Sequence, residues 1–283
     1  MQQKVAVVYL MWLPYSITYL DRFTVSYKKY PAGYAHDLII LFNGYTDKIQ
    51  IQPHLEILHN AGIAHTYQTL AGGQDIDAYF YIAEKLKHAE ILFLNTFSEI
   101  NADNWLQKLY HPIEDINAGI VGCSASLQSY FSSVFQMNKW YIETDKSFQF
   151  NFRKYKLFLK TIFYWYFLFK PFPNYHIRTS IFLIRRELFL AYPKRKFISK
   201  FRAYLFENGR KSITNFILKK RYEAVIVDSE GNVYNRLNCR EAKVFWRDDQ
   251  NKLLISDKQT EIYKNANALQ RNEMTKLAWG INE

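Results

Sequence analysis

Between Glu187 and Glu223 the chain holds one carboxylate, Glu207, set among basic and aromatic residues. An isolated acid in such surroundings is the material of a general base, able to take a proton from a hydroxyl. The alternative reading of the same spacing is a salt-bridged glutamate on a solvated helix. Upstream, Phe172-Pro-Asn-Tyr-His-Ile-Arg-Thr-Ser180 delivers His176, Arg178, Thr179 and Ser180 to the start of the apolar run Ile181–Ile184. That run reads as one buried strand. His176 is a second candidate base, although a histidine beside a strand more often serves as a hydrogen-bonded structural residue.

These groups need a frame. Val5–Leu10, Leu38–Phe42, Ala64–Leu70, Glu90–Asn95 and Gly119–Gly122 read as strands. Between them 16–27, 55–61, 78–87 and 102–109 read as helices. Regular alternation from residue 4 to about 130 predicts an α/β fold, a mostly parallel sheet flanked by helices. Ligands bind such sheets where strands end. The polar residues at those ends are Tyr9, Asn43-Gly44-Tyr45-Thr46-Asp47, Asn95-Thr96-Phe97-Ser98 and Ser124-Ala125-Ser126. Taken singly each reads as a turn or helix cap; their common position at one sheet end favours a binding site. No Gly-x-Gly-x-x-Gly follows the first strand and no Walker-type Gly-Lys-Ser/Thr occurs, which counts against a Rossmann dehydrogenase or a P-loop ATPase.

The 283 residues are 49% apolar and 18% aromatic, with a net charge of +11. From Arg153 to Arg221 eighteen Lys and Arg face only Glu187 and Glu207, a local balance of +16, so the remainder carries −5. Such a belt calls for an anionic partner, whether phosphate, nucleic acid or membrane. Residues 131–173 change character: Lys156–Lys170 is apolar and aromatic, too short and interrupted for a spanning helix. It suits an interfacial segment, a core helix or a dimer face. Lys200–Lys220 reads as one helix, Glu223–Asp228 as a strand, and the tail ends in a helix. No linker and no repeat is visible, so one domain spanning 1–283 is expected: a ligand-binding half (1–130), the aromatic segment (131–173) and a catalytic half (174–283). Two cysteines, Cys123 and Cys239, and an N-terminus without signal-peptide regions make a cytoplasmic location the expectation.

In this order the motifs resemble a GT-A type nucleotide-sugar glycosyltransferase of the family 2-like kind that builds bacterial capsular and O-antigen polysaccharides. Phe42-Asn-Gly-Tyr-Thr-Asp47 stands where that family carries Asp-Asp-Gly-Ser-x-Asp. Gly73–Tyr79 leading into Ala83–Leu86, Ile91–Ser98, His176–Ser180 with Leu183–Phe189, Phe206-Glu-Asn-Gly-Arg210, and Gly231–Tyr234 follow in the family's sequence. The resemblance implies a GT-A-like sheet with an aromatic, basic helical insertion. Tyr9, Asn43, Asp75, Asp77, Asn95, Thr96 and Ser98 would bind the nucleotide-sugar. His176, Arg178, Lys200, Arg210 and Asp257 would serve the acceptor and departing diphosphate, and Glu207 would be the base of an inverting single displacement. The family's Asp-x-Asp is replaced by Asn95-Thr96-Phe97-Ser98. Mg²⁺ or Mn²⁺ is therefore either dispensed with or held through Asp75, Asp77 or Asp257; weak or absent metal dependence is the expectation. The acceptor would be a saccharide or a lipid-linked one, used beside the inner face of the cytoplasmic membrane.

Two rivals remain from the same residues. The basic, aromatic belt could bind nucleic acid, but 157–169 is too hydrophobic for a solvated groove and no RRM, KH or helix-turn-helix pattern occurs. A transferase fold without catalysis, acting as an assembly partner, would explain the lost acidic motif.

Overall fold

The computed structural model describes residues 4–136, 152–193 and 199–280. Residues 137–151 of the aromatic segment and Lys194, Arg195 and Lys196 of the belt lie outside the described residues.

An eight-stranded sheet organises the chain. Its strands are β1 (Val5–Trp12), β2 (His36–Asn43), β3 (Thr66–Leu70), β4 (Glu90–Leu94), β6 (Ala118–Gly122), β9 (Ile181–Arg185), β10 (Glu223–Val227) and β11 (Val233–Tyr234). They lie in the order β11-β10-β6-β9-β4-β1-β2-β3. The β1–β2, β2–β3, β1–β4 and β6–β10 pairings are parallel, while β9 runs against both β4 and β6. The fold is thus α/β, with a mostly parallel sheet flanked by helices. Two short ribbons complete it: β5 (Glu99–Ile100) with β12 (Ile255–Ser256), and β7 (Ala125–Ser126) with β8 (His176–Ile177).

The continuous apolar run of β1 follows from burial on both faces. Ala6, Val8 and Leu10 enter one core layer and Val5, Val7, Tyr9 and Met11 the other. The first layer is closed by α3 (Asp75–Lys85) and α6 (Arg186–Ala191), the second by α1 (Thr18–Lys29), α2 (Lys48–Asn60) and α4 (Trp105–Asp115).

Helix α4 runs to Asp115, beyond the expected 102–109, and three further helices differ from expectation. Helix α2 starts at Lys48 because Asp47 and Gln50 form a capping box. Helix α3 starts at Asp75, so Asp75 and Asp77 occupy its first turn, where negative charge favours the helix end. The run 200–220 divides into α7 (Lys200–Asn208) and α8 (Ile213–Lys219). Gly209 forces the division: a Cβ there would lie 2.4 Å from the Leu205 carbonyl oxygen, and Ser212 then caps α8 by accepting from the Asn215 N–H.

The aromatic segment forms α5 (Phe152–Leu168), followed by α9 (Lys258–Asn265) and α10 (Ala268–Trp279) late in the chain. Helix α5 joins neither core layer; Phe163 and Phe167 are 61% and 71% exposed. No helix among the described residues is long and apolar enough to cross a membrane.

Candidate active site

Because β9 opposes β4, Leu94 at the end of β4 pairs with Ile181 at the start of β9. Asn95 and the segment His176–Ser180 therefore meet at one sheet edge. There Glu207, on the last turn of α7, accepts hydrogen bonds at its Oε2 from the Thr179 N–H and the Thr179 hydroxyl, both at 2.8 Å. Its Oε1 lies 3.7 Å from Arg178 Nη1, and each of the two side chains is 14% exposed. The Arg178 guanidinium sits over the Phe245 ring at 4.5 Å, a position that orients it by cation–π attraction.

Burial alone would raise the Glu207 pKa, but Arg178, His176 and the two Thr179 donors outweigh it and hold the carboxyl below its ordinary value. It is ionised at neutral pH. His176 is buried, and that burial lowers its pKa against the opposing pull of Glu207. Its Nδ1–H donates to the Asn174 carbonyl at 2.7 Å, so the neutral ring carries its lone pair on Nε2.

A second cluster lies where β1 and β4 end. Tyr15 meets Phe97 edge-on at 4.6 Å and Trp12 at 5.7 Å, and Tyr19 meets Phe97 at 4.7 Å. Lys258 Nζ stands 5.1 Å from the Phe97 centroid and 5.7 Å from that of Tyr15. Burial raises the Tyr15 pKa, reinforced by the charge of Asp75. Burial likewise raises that of Asp75, opposed by its own backbone N–H and by Lys200. Lys200 opens α7 and Glu207 closes it, a separation of roughly 10 Å along the helix axis. The charge of Lys200 thus reaches Asp75 from the opposite end of the helix that carries Glu207.

Other expected contacts point inward. Tyr9 is fully buried, stacked on Phe23 at 4.2 Å, and its hydroxyl donates to the Thr96 carbonyl; it is a core residue of β1. Thr96 is a staple between strands, donating to the Leu10 carbonyl and accepting from the Trp12 N–H. Asn95 Oδ1 accepts from the Phe97 N–H and the Ser98 hydroxyl, which closes the turn and uses Ser98 as well. Asn43 is buried and donates to the Gly73 carbonyl, tying β2 to the start of α3. Asp77 stands half-buried in the first turn of α3. Asp257 caps α9, accepting from the Gln259 and Thr260 N–H groups. Arg210 turns away to α5, where it donates to the Tyr166 and Phe169 carbonyls.

Asn43 Oδ1, Arg178 Nε and Ser180 Oγ are buried at this edge without a hydrogen-bond partner. Unpaired polar atoms of that kind are costly unless a ligand or water meets them. A divalent metal fits poorly. The described residues contain no group of three His, Cys, Asp or Glu able to hold one. The oxygens of Asn95, Thr96 and Ser98 are neutral and already committed, and Asp257 caps α9 through Oδ1.

Tyr15 and Lys258 carry no signal in the sequence analysis, and Phe97 and Thr179 enter it only as members of their turns, with no role of their own. Phe97 did carry a signal: an aromatic residue inside an otherwise polar turn directly after a strand.

No family model and no curated protein matches the chain. Among solved structures it is similar to mannosyltransferase PcManGT from Pyrobaculum calidifontis, in complex with GDP-Man and Mn²⁺, at 11% identity over 66% of this chain and 46% of that one, with a TM-score of 0.40. It is also similar to glucosyl-3-phosphoglycerate synthase from Mycobacterium tuberculosis, in complex with Mn²⁺, UDP and glucosyl-3-phosphoglycerate, at 13% identity over 66% and 58%, TM-score 0.36. A third is S. aureus TarS 1-349 in complex with UDP, at 17% identity over 42% and 34%, TM-score 0.33. The chain spans 58% or less of the length of these structures. The likeness is loose, and no residue correspondence follows from it.

Proposed function

We propose that this chain is a GT-A-like glycosyltransferase that moves a sugar from a nucleotide-sugar to a hydroxyl acceptor, with inversion, in cell-surface polysaccharide synthesis. The observation that carries the reading is Glu207. It is an ionised, nearly buried carboxylate at the strand-end edge of a mostly parallel sheet, with one oxygen pinned by Thr179 and the other 3.7 Å from the Arg178 guanidinium. In this reading the base of the donor stacks at Tyr15 and Phe97, with Lys258 beside its phosphates. Lys200 and Arg178 offset the charge that develops on the departing diphosphate. Glu207 Oε1 takes the proton of the acceptor hydroxyl as the new glycosidic bond forms and the bond to the diphosphate breaks. In this reading these cations share or carry the role that a metal has in related chemistry. The acceptor is a saccharide, lipid-linked, reached at the inner face of the cytoplasmic membrane.

A thermal-shift series with UDP-, GDP-, CMP- and dTDP-sugars, each with and without Mn²⁺, tests the donor. Saturating donor at a hundred times its dissociation constant stabilises by about 2.7 kcal/mol, a shift of several degrees for a chain of this size. One nucleotide class should produce it, with or without the metal. Stabilisation by oligonucleotides and by none of the sugars would favour the nucleic-acid rival. Donor binding with no transfer or hydrolysis would favour the inactive assembly partner.

A further inference from the structure

On the face of α7 turned away from Glu207 lies a groove of about 1000 Å³, walled by α5, α7 and α8. Phe167 and Leu168 of α5 and Phe201 and Leu205 of α7 make its apolar floor. Six Lys and Arg line it, and among its described lining residues there is no Asp or Glu. That combination, a trough for a hydrocarbon and a positive rim, matches one ligand chemistry. We propose that the groove binds a single long-chain lipid phosphate, with the chain along the aromatic floor and the phosphate among Lys170, Arg210 and Arg236.

Among the described lining residues the three cations have no acid to offset them. Lys170 is held by a 2.5 Å hydrogen bond to Asn215 Oδ1, and Arg210 by the carbonyls at the end of α5. Burial and the nearby charges of Arg210 and Arg236 make the Lys170 ammonium less favourable than usual. A phosphate bearing between one and two negative charges relieves that crowding. The floor supplies the other half, because apolar area buried along a chain adds binding with each methylene. Phe163 continues the apolar surface outward along α5, so a chain longer than the groove stays covered. The volume lies at the upper end of small-molecule sites and suits one lipid better than a flat bilayer contact. The binding claim is independent of the sugar chemistry; only the further step, that this lipid is the anchor of the acceptor, rests on the transferase reading.

The test uses the full chain and hexadecyl phosphate below its micelle concentration, followed by titration calorimetry. Inorganic phosphate, hexadecyl maltoside, and phosphatidylglycerol vesicles are compared with it. The expected result is saturable binding of one lipid phosphate per chain, with the maltoside and inorganic phosphate each weaker by at least about tenfold. Arg236→Glu and Phe167→Asp, both at exposed positions, should each weaken it by about tenfold or more while the thermal melt stays that of the wild type. Equal affinity for the maltoside, equal affinity for inorganic phosphate, or binding confined to the vesicles would overturn the proposal. So would variants that fold normally and bind unchanged. Should either variant fail to fold, the wild-type comparison decides alone. If hexadecyl phosphate does not bind while a nucleotide-sugar still raises the melting temperature, the groove proposal falls and the transferase reading stands. The reverse pattern removes the transferase reading and leaves the groove.

Discussion

Glu207 and Thr179 are joined twice at one oxygen: the Thr179 N–H and its hydroxyl both donate to Glu207 Oε2 at 2.8 Å. The bond fixes the carboxylate across the gap between α7 and the start of β9. The second oxygen is left to the Arg178 guanidinium, 3.7 Å away.

Replacing Glu207 by Gln removes the base while keeping an oxygen for Thr179. Transfer should fall by about 10²–10⁴-fold, with the donor dissociation constant nearly unchanged; full activity in a steady-state assay would refute the assignment. Stability supplies an independent readout. The fold holds the Glu207 pKa below its ordinary 4.5, so the native state binds fewer protons there than the unfolded chain. Its contribution is present above pH 4.5 and is lost as pH falls below that value through the folded pKa. Melting curves of the wild type should therefore decline more steeply on acidification below pH 4.5 than those of Glu207→Gln. Parallel declines would contradict the lowered pKa.

Thr179→Val keeps the N–H bond and deletes the hydroxyl donor. Hydrogen bonds to a charged group contribute roughly 1.5–3 kcal/mol, and losing one also moves the Glu207 pKa upward. The acidic limb of the kcat/KM profile should shift to higher pH, and Thr179→Ser should restore it. A variant whose stability drops while its pH profile stays in place would reduce Thr179 to a scaffold role.

Phe97→Ala tests the aromatic edge. Stacking on an aromatic side chain is worth about 1–3 kcal/mol per base, so donor affinity should weaken roughly tenfold to a hundredfold, and Phe97→Tyr should change it little. Calorimetric titration with the donor nucleotide reads this directly. Unchanged affinity in the alanine variant would move the base away from Tyr15 and Phe97.

Asp257→Ala separates a cap from a ligand. Loss of a capping side chain costs about 0.5–2 kcal/mol, or a few degrees of melting temperature at this chain length. Below the melt, kcat/KM should remain within about twofold of the wild type, and EDTA should leave both enzymes equally active. Strong chelator sensitivity abolished by the substitution would return Asp257 to the site.

The strands were legible because both faces of the sheet are covered, which turns β1, β2 and β4 into uninterrupted apolar runs. The same burial hid the direction of Tyr9. In a strand apolar on both faces, no alternation marks which side chain looks outward. Asn43, Asn95, Thr96 and Ser98 lie at or just after strand ends, yet polarity alone does not tell a ligand contact from a latch on a neighbouring loop. Arg210 shows the limit for long side chains: its backbone lies one turn from Glu207, but its guanidinium reaches back to the end of α5. The break at Gly209 depends on the approach of the Leu205 carbonyl, which is a tertiary circumstance.

Strand β9 runs opposite to both of its neighbours. Had it been parallel, residues 176–180 would emerge at the far rim and Thr179 would be a strand's length from Asn95. Reversing one strand lets two distant stretches of polypeptide share a doorway without threading a loop across the sheet. Lengthening the connection ahead of β9 would then alter what enters, while the strand pairings behind it stay as they are.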